Sequence, residues 1–139
     1  MAFKLVKGKT KFEWLPVTVS TALSADSAVE FTSGYIAAAD DNEAAVDIRG
    51  ILVKAIASTD EDYGTARFVA VQVPAEKHCV WEADTADTYV QATHGGVECG
   101  LVTSTTVDLD DTSNDMFLVI GPGSAALKVR GYLKINGSY

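Results

Sequence analysis

A mainly β fold, a compact barrel or sandwich of short strands, is what this 139-residue sequence predicts. Three observations carry the prediction. Apolar residues alternate with a period of two more often than they recur at 3.6, and clusters of Asp, Gly, Asn and Pro punctuate the chain at short intervals. The length suits one domain able to bury a core of its own.

The opening segment, residues 1–15, stands outside this pattern. Lys4, Lys7, Lys9 and Lys11 are interspersed with Phe3, Leu5, Val6, Phe12 and Trp14, and Gly8 interrupts them. No consistent core face results, yet each large apolar side chain is worth about 1.5–3 kcal/mol when fully buried. A flexible N-terminal arm that orders against a partner reconciles the two, with residues 16–139 as the β-rich body. The alternative is that residues 12–15 open the first strand.

Along the body, a short helix fits residues 22–29 or 41–46. Residues 34–38 read as a strand that the acidic turn 40–42 folds into a hairpin with the next segment. In that segment Ile48, Ile51, Leu52, Ala55 and Ile56 also match a helical template, but Gly50 and the β-branched neighbours favour a buried strand. Residues 67–73 alternate Val69, Val71 and Val73 with Phe68, Ala70 and Gln72. Pro74 ends the run, since proline donates nothing to a ladder. Residues 79–83, 88–92, 105–109 and 116–120 are further short strands, separated by turn clusters at 83–87, 95–96, 110–115 and 121–123. The clearest alternation comes last. Leu127, Val129, Gly131, Leu133 and Ile135 form an apolar face, and Lys128, Arg130, Tyr132 and Lys134 a largely basic one.

Charge is distributed unevenly. The net charge is −8, and eighteen of the nineteen acidic residues lie between Pro16 and Leu127, facing only Arg49, Lys54, Arg67 and Lys77. Both ends are basic, a layout that suits docking on another protein better than a catalytic cleft. Strong acidity excludes nucleic acid as the main partner, because phosphate recognition needs clustered Lys and Arg. No apolar h-region follows the first lysines and no run of about eighteen apolar residues occurs, so neither a signal peptide nor a membrane span is expected. The expected origin is a soluble protein made in the cytoplasm.

The residues able to carry chemistry form no complete catalytic or metal-binding motif in the sequence. Cys79 and Cys99 lack the spacing of a zinc site or a redox pair, and buried thiols are the expectation. His78 and His94 accompany no nucleophile elbow, and Gly121-Pro122-Gly123 lacks the Lys-Ser/Thr of a phosphate loop. Asp108, Asp110, Asp111 and Asp115 suggest a calcium loop, but the glycine after the third ligand and the closing Glu are missing. Trp81 reads as a core residue. The expectation is a non-enzyme with no cofactor and no metal.

From Gly34 onward the chain resembles the head-decoration, or capsid-cement, proteins of tailed bacteriophages, including the lambda-like ones. The likeness rests on element order. Gly34-Tyr-Ile-Ala-Ala-Ala-Asp-Asp-Asn is followed by Arg49-Gly-Ile-Leu-Val-Lys-Ala-Ile-Ala, then Ser58-Thr-Asp-Glu-Asp-Tyr-Gly-Thr, the valine strand ending at Pro74, and Val80-Trp-Glu-Ala-Asp. Residues 95–102, Val107-Asp-Leu-Asp-Asp, Phe117-Leu-Val-Ile-Gly and Lys128-Val-Arg continue it, over roughly two-thirds of the chain. The resemblance implies a non-catalytic virion protein on the outer capsid surface, a homotrimer bound to the major capsid protein that stabilises the expanded head. An N-terminal arm would join the shell. In this chain Lys4, Lys7, Lys9 and Lys11 would meet carboxylates, with Phe3, Phe12 and Trp14 as apolar anchors. Lys128, Arg130 and Lys134 would contact a sister subunit or the shell. The longer, acidic C-terminal half departs from the smallest members of the family. Two other readings stand beside this one: a tail-tube, fibre-base or head-completion subunit, or a small β-barrel ligand-binding module with an aromatic patch around Trp81, Tyr89 and Tyr132.

Overall fold

In the computed structural model, which describes residues 3–39 and 48–135, the strands run in chain order as β1 (Lys4–Lys7), β2 (Thr10–Val17), β3 (Ala28–Thr32), β4 (Tyr35–Ala38), β5 (Ile48–Leu52) and β6 (Arg67–Pro74). They continue as β7 (Val80–Thr85), the single helical turn α1 (Gln91–His94), β8 (Glu98–Thr103), β9 (Thr106–Asp108), β10 (Phe117–Pro122) and β11 (Lys128–Leu133). The mainly β barrel expected from the alternation is what forms, but it forms twice.

Strands β2-β4-β3-β5-β6 close into one barrel. The second sheet runs β1-β7-β11-β10-β8-β9, and a further β7–β9 pairing returns it on itself. Leaving β1 aside, the two units share one topology. In each, the first strand pairs parallel with the third (β2 with β4, β7 with β9), and every other neighbour is antiparallel. The ladders also superpose in register. Val17 opposite Ile36 corresponds to Thr85 opposite Val107, which places Trp14 at Glu82 and Phe12 at Val80. On the partner strands Phe68 falls at Lys128 and Ala70 at Arg130. The sequence hides this duplication because equivalent outer positions carry unlike side chains.

Alternation explains the cores. Val17, Val29, Ile36, Leu52, Val71 and Val73 fill the first barrel, and Trp81, Leu101, Phe117, Val129 and Leu133 fill the second. The second core also takes Ala28, Ile48 and Ile51 from the first barrel. Backbone bonds reinforce the join: the Ala28 N–H donates to the Ser104 carbonyl at 2.7 Å and the Phe3 N–H to the Asp26 carbonyl at 2.9 Å. Gly131 keeps the apolar face of β11 free of a side chain for a steric reason, since a Cβ there would lie 2.2 Å from the Leu118 carbonyl oxygen.

Several sequence expectations need correction. A separate N-terminal arm is not confirmed, since the described opening residues run in strands. β2 pairs with β6 from Thr10 opposite Pro74 to Val17 opposite Arg67, and β1 pairs with β7. Phe3 is buried, its ring centroid 6.2 Å from that of Phe117. The alternative, residues 12–15 opening the first strand, is right that they are strand, but they lie inside β2, which starts at Thr10 and follows β1. The opening segment's lack of one core face has a simple cause: the two strands serve different sheets. Gly8 makes the crossing at φ +114°, where a Cβ would come within 2.7 Å of the Cys79 sulfur.

Residues 34–38 pair with β3 rather than with the segment from Ile48. Ser33 and Gly34, at φ 52° and 85°, make the two-residue turn whose twist matches an antiparallel hairpin, and β5 lies on the other side of β3. Part of the segment read as helix, residues 22–29, enters β3. Residues 88–92 run into α1 instead of forming a strand, and β8 was not foreseen. The expected acidic turn at 40–42 and helix at 41–46 lie outside the described residues.

Candidate interaction face

The outer side of β2 and β6 carries large apolar side chains in water. On β2, Phe12 and Trp14 point away from the core that Leu15 and Val17 face. On β6, Phe68 stands opposite Pro16 and Ala70 opposite Trp14, which brings Phe68 diagonal to Trp14 on the same face. Trp14 is 68% exposed, Phe68 63% and Phe12 59%, values that exclude these residues from any core of this chain. Val53, just after β5, extends the apolar surface.

Beside this face lies a cleft of about 530 Å³, lined by Trp14, Val53, Lys54, Ile56, Arg67 and Phe68 among others. Its floor and rim are set by the loop between β5 and β6. Arg67 bonds Asp62 and reaches the Asp60 carboxylate at 3.3 Å, and the Tyr63 hydroxyl donates to the Ser20 carbonyl at 2.8 Å. The hydrogen bond from Arg67 holds the Asp62 carboxyl below the usual carboxylate range. The result is an aromatic wall beside a paired charge cluster.

The residues singled out from sequence are divided by the structure. Lys4, Lys7, Lys9 and Lys11 are exposed and make no ion pair among the described residues. Phe12 and Trp14 join them at the surface, whereas Phe3 is core. The basic face of β11 is largely spent within the chain. Lys128 pairs with Asp84 at 2.5 Å, and Lys134 reaches Asp115 at 2.7 Å and Glu98 at 3.4 Å. Arg130 stands opposite Glu82 in the ladder. Asp115 is held below its ordinary value by the Lys134 hydrogen bond. Sequence reasoning missed Phe68 and Val53, although the phase of the alternation already put Phe68 opposite Val69, Val71 and Val73.

The aromatic patch expected around Trp81, Tyr89 and Tyr132 does not form as an open surface. Trp81 is fully buried, Tyr89 packs near His94 at 6.0 Å between centroids, and Tyr132 near His78 at 5.1 Å. The cysteines are free and buried, and burial pushes the Cys99 thiol up to about 12, which leaves it protonated and unreactive.

Among the acidic loops, Asp87, Asp108 and Asp110 bring one carboxylate oxygen each to within 4.8 Å of the others. Asp108 already accepts the Asp110 N–H at 3.1 Å. Nearby His94 accepts the Val90 N–H on Nδ1 at 2.9 Å. Its Nε2 lies 4.0 Å from the Asp110 carboxylate, beyond hydrogen-bond distance. No helix among the described residues is long and apolar enough to cross a membrane. In comparison with known proteins, no family model matches the chain and no curated protein is significantly similar to it.

Proposed function

We propose that this protein is a non-enzymatic virion structural protein that binds the outside of a phage capsid lattice and stabilises the expanded head, with the major capsid protein as its partner. The observation that carries the reading is the exposed Trp14–Phe68–Phe12 face, on an acidic molecule whose N-terminal lysines are exposed and make no ion pair among the described residues. The element order shared with decoration proteins from Gly34 onward points the same way. Aromatic side chains at the centre of a contact supply most of its energy, and Lys9 and Lys11 at the rim add steering toward carboxylates. A lattice repeats its site many times, so a modest contact per copy suffices once several act together.

Because β1 and β2 are woven into both sheets, removing residues 1–15 tests folding rather than binding. Surface substitution is the cleaner experiment. Trp14→Ala combined with Phe68→Ser should abolish co-sedimentation with expanded heads of the parent phage that lack decoration, while circular dichroism stays that of the wild type. Undiminished saturation of the heads by the double variant overturns the capsid-binding face. Electron microscopy of labelled particles separates decoration from a tail or vertex subunit, since only decoration labels the whole shell.

One observation favours a second reading. The cleft of about 530 Å³ beside Trp14 and Phe68 falls within the roughly 300–1,000 Å³ usual for small-molecule sites. A ligand-binding module would use those two rings as a stacking wall, and a saccharide panel should then raise the melting temperature of the wild type but not of Trp14→Ala.

A further inference from the structure

The duplicated barrels differ at one edge. In the second barrel, β1 lies antiparallel along β7, with Lys4 opposite Glu82 and Leu5 opposite Trp81, while β9 holds the same edge only at Asp84 and Thr85. In the first barrel, β4 holds the corresponding edge of β2 at Val17 alone. Among the described residues no strand pairs with the remainder of that edge, residues 10–16. Phe12, Glu13 and Trp14 are therefore the unfilled counterpart of the slot that β1 fills, since they match Val80, Trp81 and Glu82 in the ladder. An open edge of this length presents a row of unpaired backbone donors and acceptors and recruits another strand.

We propose that the occupant is β2 of a second copy of this chain, laid antiparallel about a twofold axis through Phe12. Charge complementarity selects both the occupant and the register. With the axis at Phe12, Lys11 of each copy stands opposite Glu13 of the other, Phe12 meets its own equivalent, and Thr10 meets Trp14. Moving the axis to Glu13 sets two carboxylates against each other, and moving it to Lys11 sets two ammonium groups against each other. Like charges directly opposite oppose pairing. Such a contact is isologous and closed, so it ends at a dimer. The seat of β1 on β7 shows that the barrel accommodates an antiparallel strand at this place. The pairing uses the edge of β2 and leaves its outer face open, with Trp14 and Phe68 of the two copies side by side. It rests on the duplication and the edge, and is independent of what the face binds.

Light scattering and sedimentation equilibrium of the purified protein test it without any capsid. The expected mass is twice 14.7 kDa. Lys11→Glu and Glu13→Lys each place like charges opposite one another twice and should weaken the dimer by roughly tenfold or more. The double exchange Lys11→Glu/Glu13→Lys restores the opposite pairing and should restore the dimer. All three changes lie outside the buried core, and circular dichroism checks that the fold is kept. Phe12→Cys should give a disulfide-linked dimer under mild oxidation, because residues facing each other across an antiparallel axis fall within the roughly 4.4–6.8 Å Cα separation a disulfide needs. A wild type that stays monomeric or sediments as a trimer overturns the proposal. So does a dimer indifferent to both single substitutions and refractory to linkage through position 12.

Discussion

Glu82 on β7 is buried, and its carboxylate accepts the Ser124 backbone N–H, with the Ser124 side chain, Arg130 and Lys128 adding to the effect. These groups hold it below its unfolded value of 4.5. A carboxylate depressed in this way stabilises the fold fully above the unfolded value, and the contribution disappears as pH falls through the lower folded value. Asp62, Asp111 and Asp115 shift in the same direction from 3.8, through hydrogen bonds from Arg67, Asn114 and Lys134 respectively. The melting temperature should therefore hold from neutrality down to about pH 5 and fall below it. Glu82→Gln should cost about 1.5–3 kcal/mol at pH 7, the value of a hydrogen bond to a charged group, and should shallow the acid decline. Calorimetry across pH checks both. A variant with the wild-type acid profile would show that Glu82 is not among the carboxylates responsible.

At the level of elements, β1 and β2 were the least legible part of the sequence. An edge strand that changes sheets at Gly8 shows no continuous alternation, because each half answers to a different core. By contrast β6 and β11 were readable residue by residue. Each has one buried face, and the alternation of valines or of Val129, Gly131 and Leu133 reports that face directly. The turn α1 was read as a strand because Val90 and Tyr89 mimic a β pattern, while its geometry is set by backbone bonds from Gly95 to Gln91 and from His94 to Val90. The integration of β1 has a measurable consequence. Phe3→Ala should destabilise the chain by about 3–5 kcal/mol, the cost of emptying a buried aromatic site. Phe12→Ala, exposed on β2, should stay within about 0.5 kcal/mol. Urea denaturation of the two variants separates a built-in strand from a free arm, for which both changes would be silent.

For the whole molecule, the central question is whether two barrels of one topology behave as one body. Ala28, Ile48 and Ile51 belong by strand to the first barrel and by packing to the second core, and β1 and β2 stitch the two sheets from the N-terminal side. Opening either barrel exposes apolar surface of the other. Thermal unfolding should accordingly be a single transition with calorimetric and van't Hoff enthalpies equal. Two resolved transitions would mean that the shared core is too small to couple the halves. The same architecture assigns different surfaces to equivalent positions. Asp84, Lys128 and Arg130, with the buried Glu82, occupy these positions in the second barrel, whereas Trp14, Pro16, Phe68 and Ala70 occupy them in the first. One copy of the repeat carries charged groups at these positions and the other carries exposed apolar side chains.

Sequence by itself determined the β character, the inward phase of the strands with one buried face, the burial of Trp81 and the acidic surface. All of these follow from local alternation and composition, which act within a few residues. Tertiary structure alone decided that the barrel occurs twice, that Phe3 is core while Trp14 is not, and that Lys128 and Lys134 are engaged by Asp84 and by Asp115 and Glu98. It also decided that Trp14 and Phe68 share one face. Those outcomes depend on register between strands 44 to 64 residues apart in the chain, and pairing at that range is set by the closure of a sheet, not by the pattern of any one strand.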